Sequence, residues 1–102
     1  MTHPMYTEIT ESNSITGAGL ADALINQAVE RIRLTCESDG FFYLYAKLNW
    51  KEAEVKVRFN AVKRGFLDFR SLNTAWTFLR KLPKTDVLIV LEVNYEEETP
   101  ET

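Results

Sequence analysis

The side chains best suited to chemistry in this sequence are aromatic and cationic, and they interleave at a spacing of two. Tyr43, Tyr45 and Lys47 alternate in one segment, and Lys56 and Arg58 alternate in the next. Alternate residues of an extended chain point to one side, so the five would share a sheet face. Such a face can stack nucleobases on its rings while its cations hold phosphates. The same set suits an acidic protein partner. Trp50, between the two segments, would then serve as an anchor, and Lys63 and Arg64 would extend the positive charge. An ordinary structural account stays open beside these: a helix covering Tyr43 and Tyr45, with the hydroxyls reaching solvent at the margin of the sheet.

Catalytic constellations are sparse. A Ser/His or Cys/His enzyme needs a base beside its nucleophile, and the single histidine, His3, lies in a polar segment far in sequence from the single cysteine, Cys36. One cysteine forms no internal disulfide and no thiolate-rich metal site, and Cys36 reads as a small apolar residue. Glu52, Glu54 and Asp68 sit among lysines and arginines without metal-ligand spacing, which fits surface ion pairs better than acid–base catalysis. Gly17-Ala18-Gly19 opens a helix but lacks the longer phosphate-binding signature. No catalytic residue, metal or cofactor is expected.

Charge is segregated along the chain. Residues 1–40 carry two cationic against six acidic side chains, a net −4; residues 41–82 carry nine against three, a net +6; residues 83–102 carry one against six, a net −5. The basic middle suits nucleic acid or an acidic protein, flanked by ends that could shield it, although a solvated surface shows the same linear pattern. The length of 102 residues fits one core. No apolar run approaches the roughly 20 residues needed to span a bilayer, and Met1 to Thr10 does not read as an export signal. The cytoplasm is the expected location, with no membrane association.

The elements that would position these residues follow from periodicity. Residues 1–16 read as a flexible arm, residues 17–95 as one domain and residues 96–102 as an acidic tail. Ala21, Leu24, Ile25, Ala28, Val29, Ile32 and Cys36 recur at helical spacing, which predicts a first helix from Ala18. A rival reading begins a strand at Arg31, because Ile32, Leu34 and Cys36 alternate with polar residues before the turn-forming Asp39-Gly40. Phe42, Leu44, Ala46 and Leu48 share one strand face, and Val55 and Val57 with Ala53 and Phe59 form the dry face of a second strand. Lys63-Arg64-Gly65 makes a turn into a short strand over Phe66 to Phe69. Ser71 is a candidate N-cap for a helix that presents Leu72, Ala75, Trp76 and Leu79 and ends at Pro83. Trp76 is expected in the core. Val87 to Val93 is an apolar run suited to a strand buried on both faces and central in the sheet. The sum is an α+β fold, a mainly antiparallel four-stranded sheet packed by two helices in the order α-β-β-β-α-β.

The segment Val55 to Val93, with its basic hairpin, its helix entry Phe69-Arg70-Ser71-Leu72, then Ala75, Phe78-Leu79 and a final strand, resembles the ParC-family partition-associated proteins of plasmids and integrative elements. The resemblance implies an accessory factor in mobile-element maintenance and carries over no catalytic residue. In size and in its pairing of a small antiparallel sheet with helices, the chain is also similar to phage-encoded inhibitors of CRISPR systems. The leading expectation is therefore a non-enzymatic accessory binding protein. It would contact a protein partner through the hairpin that bears Tyr43, Tyr45, Lys47, Trp50, Lys56, Arg58, Lys63 and Arg64, with a homodimer as one arrangement. The alternatives are direct nucleic-acid binding and inhibition of a host defence complex by acidic ends that imitate a phosphate backbone.

Overall fold

The computed structural model describes residues 13–61, 64–83 and 87–92. Lys63, the first twelve residues and the acidic tail at 96–102 lie outside the described residues. The chain runs β1 (Ser14–Thr16), α1 (Gly17–Ile25), β2 (Val29–Cys36), β3 (Phe42–Leu48), β4 (Val55–Arg58), β5 (Asp68–Phe69), α2 (Leu72–Arg80) and β6 (Leu88–Glu92). The α+β class holds, but the sheet is six-stranded and mixed instead of four-stranded and mainly antiparallel. Its order is β1-β4-β3-β2-β6, with β5 paired to β3 off this path; β1–β4 and β2–β6 are parallel pairs. Residues 14–16, assigned to the arm from their polar composition, form the parallel edge strand β1.

The predicted first helix is overturned beyond Ile25. Thr16 caps α1 by accepting from the Gly19 amide at 2.9 Å. At the other end Ala28 N–H donates to Ala23 O at 2.8 Å and Gln27 N–H to Leu24 O at 3.0 Å. These are the paired bonds of a Schellman stop, with Gln27 at φ 59° in the left-handed position that glycine usually takes. The stop therefore carries no glycine or proline to announce it. Beyond it the rival reading is the correct one, and the strand begins earlier than Arg31. A register shift between Val29 and Arg31 puts Val29 and Ile32 both into the core, because a bulge inserts an extra residue into the alternation. That spacing of three imitates a helical period.

The hairpins match their turn chemistry. Gly40, at φ 86°, closes β2–β3, and the Asp39 carboxylate accepts from Phe41 N–H at 2.9 Å. Gly65, at φ 77°, returns the chain from β4 so that Leu67 N–H reaches Val57 O at 3.0 Å. Ser71 caps α2 by accepting from Thr74 N–H at 3.1 Å.

One core joins both helices to one face of the sheet. Leu20 and Leu24 from α1 and Ala75 and Leu79 from α2 pack with Ile32, Leu34, Leu44, Ala46, Val55 and Val57. Phe69 and Phe78 meet with ring centroids 5.5 Å apart and hold α2 against β5. The opposite face carries the polar residues of β2, β3 and β4 and is not covered by either helix.

Two expectations about burial fail at one place. Among the described residues β6 is an edge strand, not a central one, and Leu88 and Leu91 are 62% and 49% exposed. Trp76, expected in the core, is 51% exposed on α2. Ala75 and Leu79 turn that helix into the core, with Phe78 packed beside them, because among the described residues the sheet beneath it ends at β6.

Candidate functional site

Strand alternation brings Tyr43, Tyr45 and Lys47 of β3 onto the helix-free face, and the β3–β4 register puts Lys56 opposite Tyr45. Lys56 Nζ lies 4.1 Å from the ring centroid of Tyr43, 5.4 Å from that of Tyr45 and 4.6 Å from that of Phe66. The Arg33 guanidinium covers the Tyr45 ring at 4.4 Å. Rings and cations thus meet as expected, but they are directed at one another.

Carboxylates occupy the polar ends, and of these only Glu54 was expected among surface ion pairs. Tyr43 donates to Asp39 and Tyr45 to Glu37. Lys56 pairs with Glu37 at 3.1 Å and Lys47 with Glu30 at 3.7 Å. Glu54 accepts from Arg33 Nη2 at 2.8 Å and from Arg31 Nη2 at 3.2 Å, and Arg33 also reaches Glu92. Burial, followed by these hydrogen bonds, raises both tyrosine pKa values well above the ordinary phenol value. The hydrogen bond from Arg33 holds the Glu54 carboxyl below the usual carboxylate range, and the bond from Tyr43 does the same for Asp39.

The remaining sequence-predicted residues are placed more loosely. Arg58 donates to Ser14 Oγ at 3.0 Å and braces β1 against β4. Arg64 lies over the Phe59 ring at 4.3 Å. Trp50 projects from the β3–β4 connection, 62% exposed. Lys63 lies outside the described residues. Among the described residues no cluster of three His, Cys, Asp or Glu groups is arranged to hold a metal ion, and no helix is long and apolar enough to cross a membrane.

A second surface lies on the helix side, at the β6 edge. A groove of about 580 Å³ between α2 and β6 is lined by Leu34, Leu72, Asn73, Trp76, Leu79, Ile89 and Leu91. Leu72 and Trp76 stand four apart on α2, one helical turn, and are 42% and 51% exposed; Ile89 and Leu91 alternate on β6 and are 42% and 49% exposed. Leu88 projects from the other face of the same strand, 62% exposed. From Leu88 to Leu91 the edge strand has no charge and no proline. Strand edges are normally blunted by such residues or by brevity, and β1 at the opposite edge is only three residues long. The uncharged run was visible in the sequence, but its apolar character was assigned to burial.

No family model, no curated protein and no solved structure matches this chain.

Proposed function

We propose that this chain is a non-enzymatic protein-binding module whose partner seats on the α2–β6 edge. One observation carries the reading: the uncharged run Leu88 to Leu91 of the edge strand exposes leucine and isoleucine side chains beside the half-exposed Leu72 and Trp76 of α2. Contiguous apolar surface of this kind marks interaction sites, and an open strand edge offers backbone donors and acceptors to an added strand. The resemblance to partition-associated proteins supplies a setting, accessory work in the maintenance of a mobile genetic element.

The polar face is the weaker candidate for nucleic acid. Affinity for a phosphate backbone comes from cations that give up loosely held counterions. Arg31, Arg33, Lys47 and Lys56 are each bound to a carboxylate, so a phosphate must displace a glutamate at each. The tyrosine rings are faced by cations on the side where a base would stack.

The test compares two variants with the parent chain in recovery of a stoichiometric protein from the native host. Leu91→Lys at the apolar edge loses the partner and Lys56→Glu on the polar face retains it. The opposite pattern returns the interface to the hairpin. Tight binding of single- or double-stranded probes at low salt, falling steeply as salt rises, would overturn the protein-binding reading.

A further inference from the structure

We infer that the first occupant of this edge is a second copy of the chain, joined β6 to β6 in antiparallel fashion about a two-fold axis at Val90. The inference rests on the proposed reading of the α2–β6 edge as an interface.

The open edge dictates what an added strand must offer. Among the described residues β6 pairs with β2 alone. A strand laid against its free edge meets Ile89 and Leu91 on the helix side and Leu88 and Val90 on the other, so it has to be apolar on both faces. Most other strands of the chain fail this requirement. β3 alternates Leu44, Ala46 and Leu48 with Tyr43, Tyr45 and Lys47, and β4 alternates Val55 and Val57 with Lys56 and Arg58. β6 itself meets it at Ile89, Val90 and Leu91, and Leu88 alone takes a polar neighbour.

Its register is self-complementary. With Val90 on the axis, Ile89 lies opposite Leu91 of the second copy, and the same pair repeats on the other side of the axis. The existing ladder sets Ile32 beside Ile89 and Leu34 beside Leu91, so each row on the helix side becomes apolar across the seam, from Ile32 of one copy to Leu34 of the other. On the outer face Val90 meets its own equivalent and Leu88 meets Glu92. Glu92 is held toward Arg33 of its own chain, so no two carboxylates are brought together.

A two-fold axis perpendicular to the sheet keeps both copies' helices on one side. Leu72 and Trp76 of each α2 then flank the seam over Ile89 and Leu91. Leu72, Trp76, Leu88, Ile89 and Leu91 are 42% to 62% exposed, which for side chains of this size leaves on the order of 400 Å² of apolar surface per copy to bury. The two strand backbones and their neighbours bring the buried total to roughly the 1,000 Å² that a specific interface needs. The central place in a sheet that the Val87 to Val93 run predicts is reached in this assembly, with Ile89 and Leu91 covered on the helix side.

The experiment uses the full chain in a Cys36→Ser background. Light scattering across a concentration series is expected to give a dimer, and Val90→Cys to give a copy-to-copy disulfide under mild oxidation, because residues opposite each other on the axis bring their Cβ atoms to about 5 Å. Trp50→Cys serves as an exposed control and gives none. Leu91→Lys raises the dimer dissociation constant about tenfold or more, with circular dichroism establishing that it folds.

A monomer at every concentration, or a dimer that Val90→Cys does not trap, overturns the second-copy inference. So does a monomer whose β6 amides resist hydrogen exchange, which would mean that residues of the same chain cover the edge. The broader reading survives those results if Leu91→Lys still abolishes binding of a host protein. It fails separately if Leu91→Lys binds that protein as the parent does.

Discussion

Leu91 lies opposite Leu34 in the parallel β2–β6 ladder, yet Leu34 is 2% exposed and Leu91 is 49% exposed. Leu34 has Leu44 of β3 on its other side. Leu91 has no strand on its other side among the described residues. Two leucines of the same face and the same row therefore differ only in whether the sheet continues past them, and that difference creates the groove beneath Trp76.

The two sides of α2 should separate in stability measurements. Leu79 is 6% exposed in the core, so Leu79→Ala lowers the free energy of unfolding by about 2–5 kcal/mol. Trp76, half exposed, costs roughly half as much or less on truncation to alanine. Urea denaturation of both variants checks the order; an equal or larger loss at Trp76 would mean that the groove side of α2 is buried in solution.

Glu54 is the hub of the polar face. Replacing it with glutamine leaves Arg31 and Arg33 without their shared carboxylate and costs about 1 kcal/mol, since these pairs are partly exposed. The pH dependence follows from the direction of the shift. The Glu54 carboxyl titrates below its ordinary value in the fold, first because Arg33 donates to it. Its contribution is present above the unfolded carboxylate pKa and is lost as pH falls through the folded one. Glu54→Gln is accordingly less stable than the parent at neutral pH and converges with it in acid, as thermal melts across an acid series will show.

The alkaline limb is set by Tyr43 and Tyr45. Both phenols are held above their ordinary pKa, first by burial and then by donation to carboxylates. Stability from the neutral phenols is fully present below the unfolded tyrosine pKa and is lost as pH rises through the raised folded values. Phenolate absorbance followed against pH should show these two tyrosines ionising only above the ordinary range, together with loss of the fold. Ionisation of all the tyrosines at the ordinary value with the fold intact would contradict the geometry.

Gln27 tests the stop between α1 and β2. Its φ of 59° is left-handed, a region that strains any residue with a Cβ. Gln27→Gly raises stability by up to about 1 kcal/mol after the added freedom of the unfolded chain is counted. Gln27→Val, β-branched, lowers it. Denaturation midpoints of the two variants should fall on opposite sides of the parent.

The alternation in β3 and β4 was legible because strand geometry is local: a period of two assigns Leu44, Ala46, Val55 and Val57 to the core whatever pairs with them. The Ser71 cap and the turns at Gly40 and Gly65 were legible for the same reason, since each depends on a few neighbouring torsions. The end of α1 was not, because Gln27 occupies a position that glycine would have announced, and because the bulge at Val29–Arg31 gave a strand the spacing of a helix. In the candidate site, the meeting of Tyr43, Tyr45 and Lys56 on one face could be read from spacing. Their pairing with Glu37 and Asp39 could not, since those carboxylates lie in the β2–β3 turn and reach the rings and Lys56 only once β3 and β4 are paired.

By itself, then, the sequence determined the β3 and β4 strands, the α2 cap and which face of β3 and β4 is dry, because those follow from torsions and periods within a few residues. Tertiary structure alone decided that Lys47 and Lys56 of the basic middle, like Arg31 and Arg33 before it, are ion-paired, because charges separated along the chain meet only when strands are ordered. It also decided that the apolar run at Leu88–Leu91 stands at an edge. Hydropathy records how much a strand gains by leaving water, and strand order decides whether its own chain supplies the neighbour that removes it.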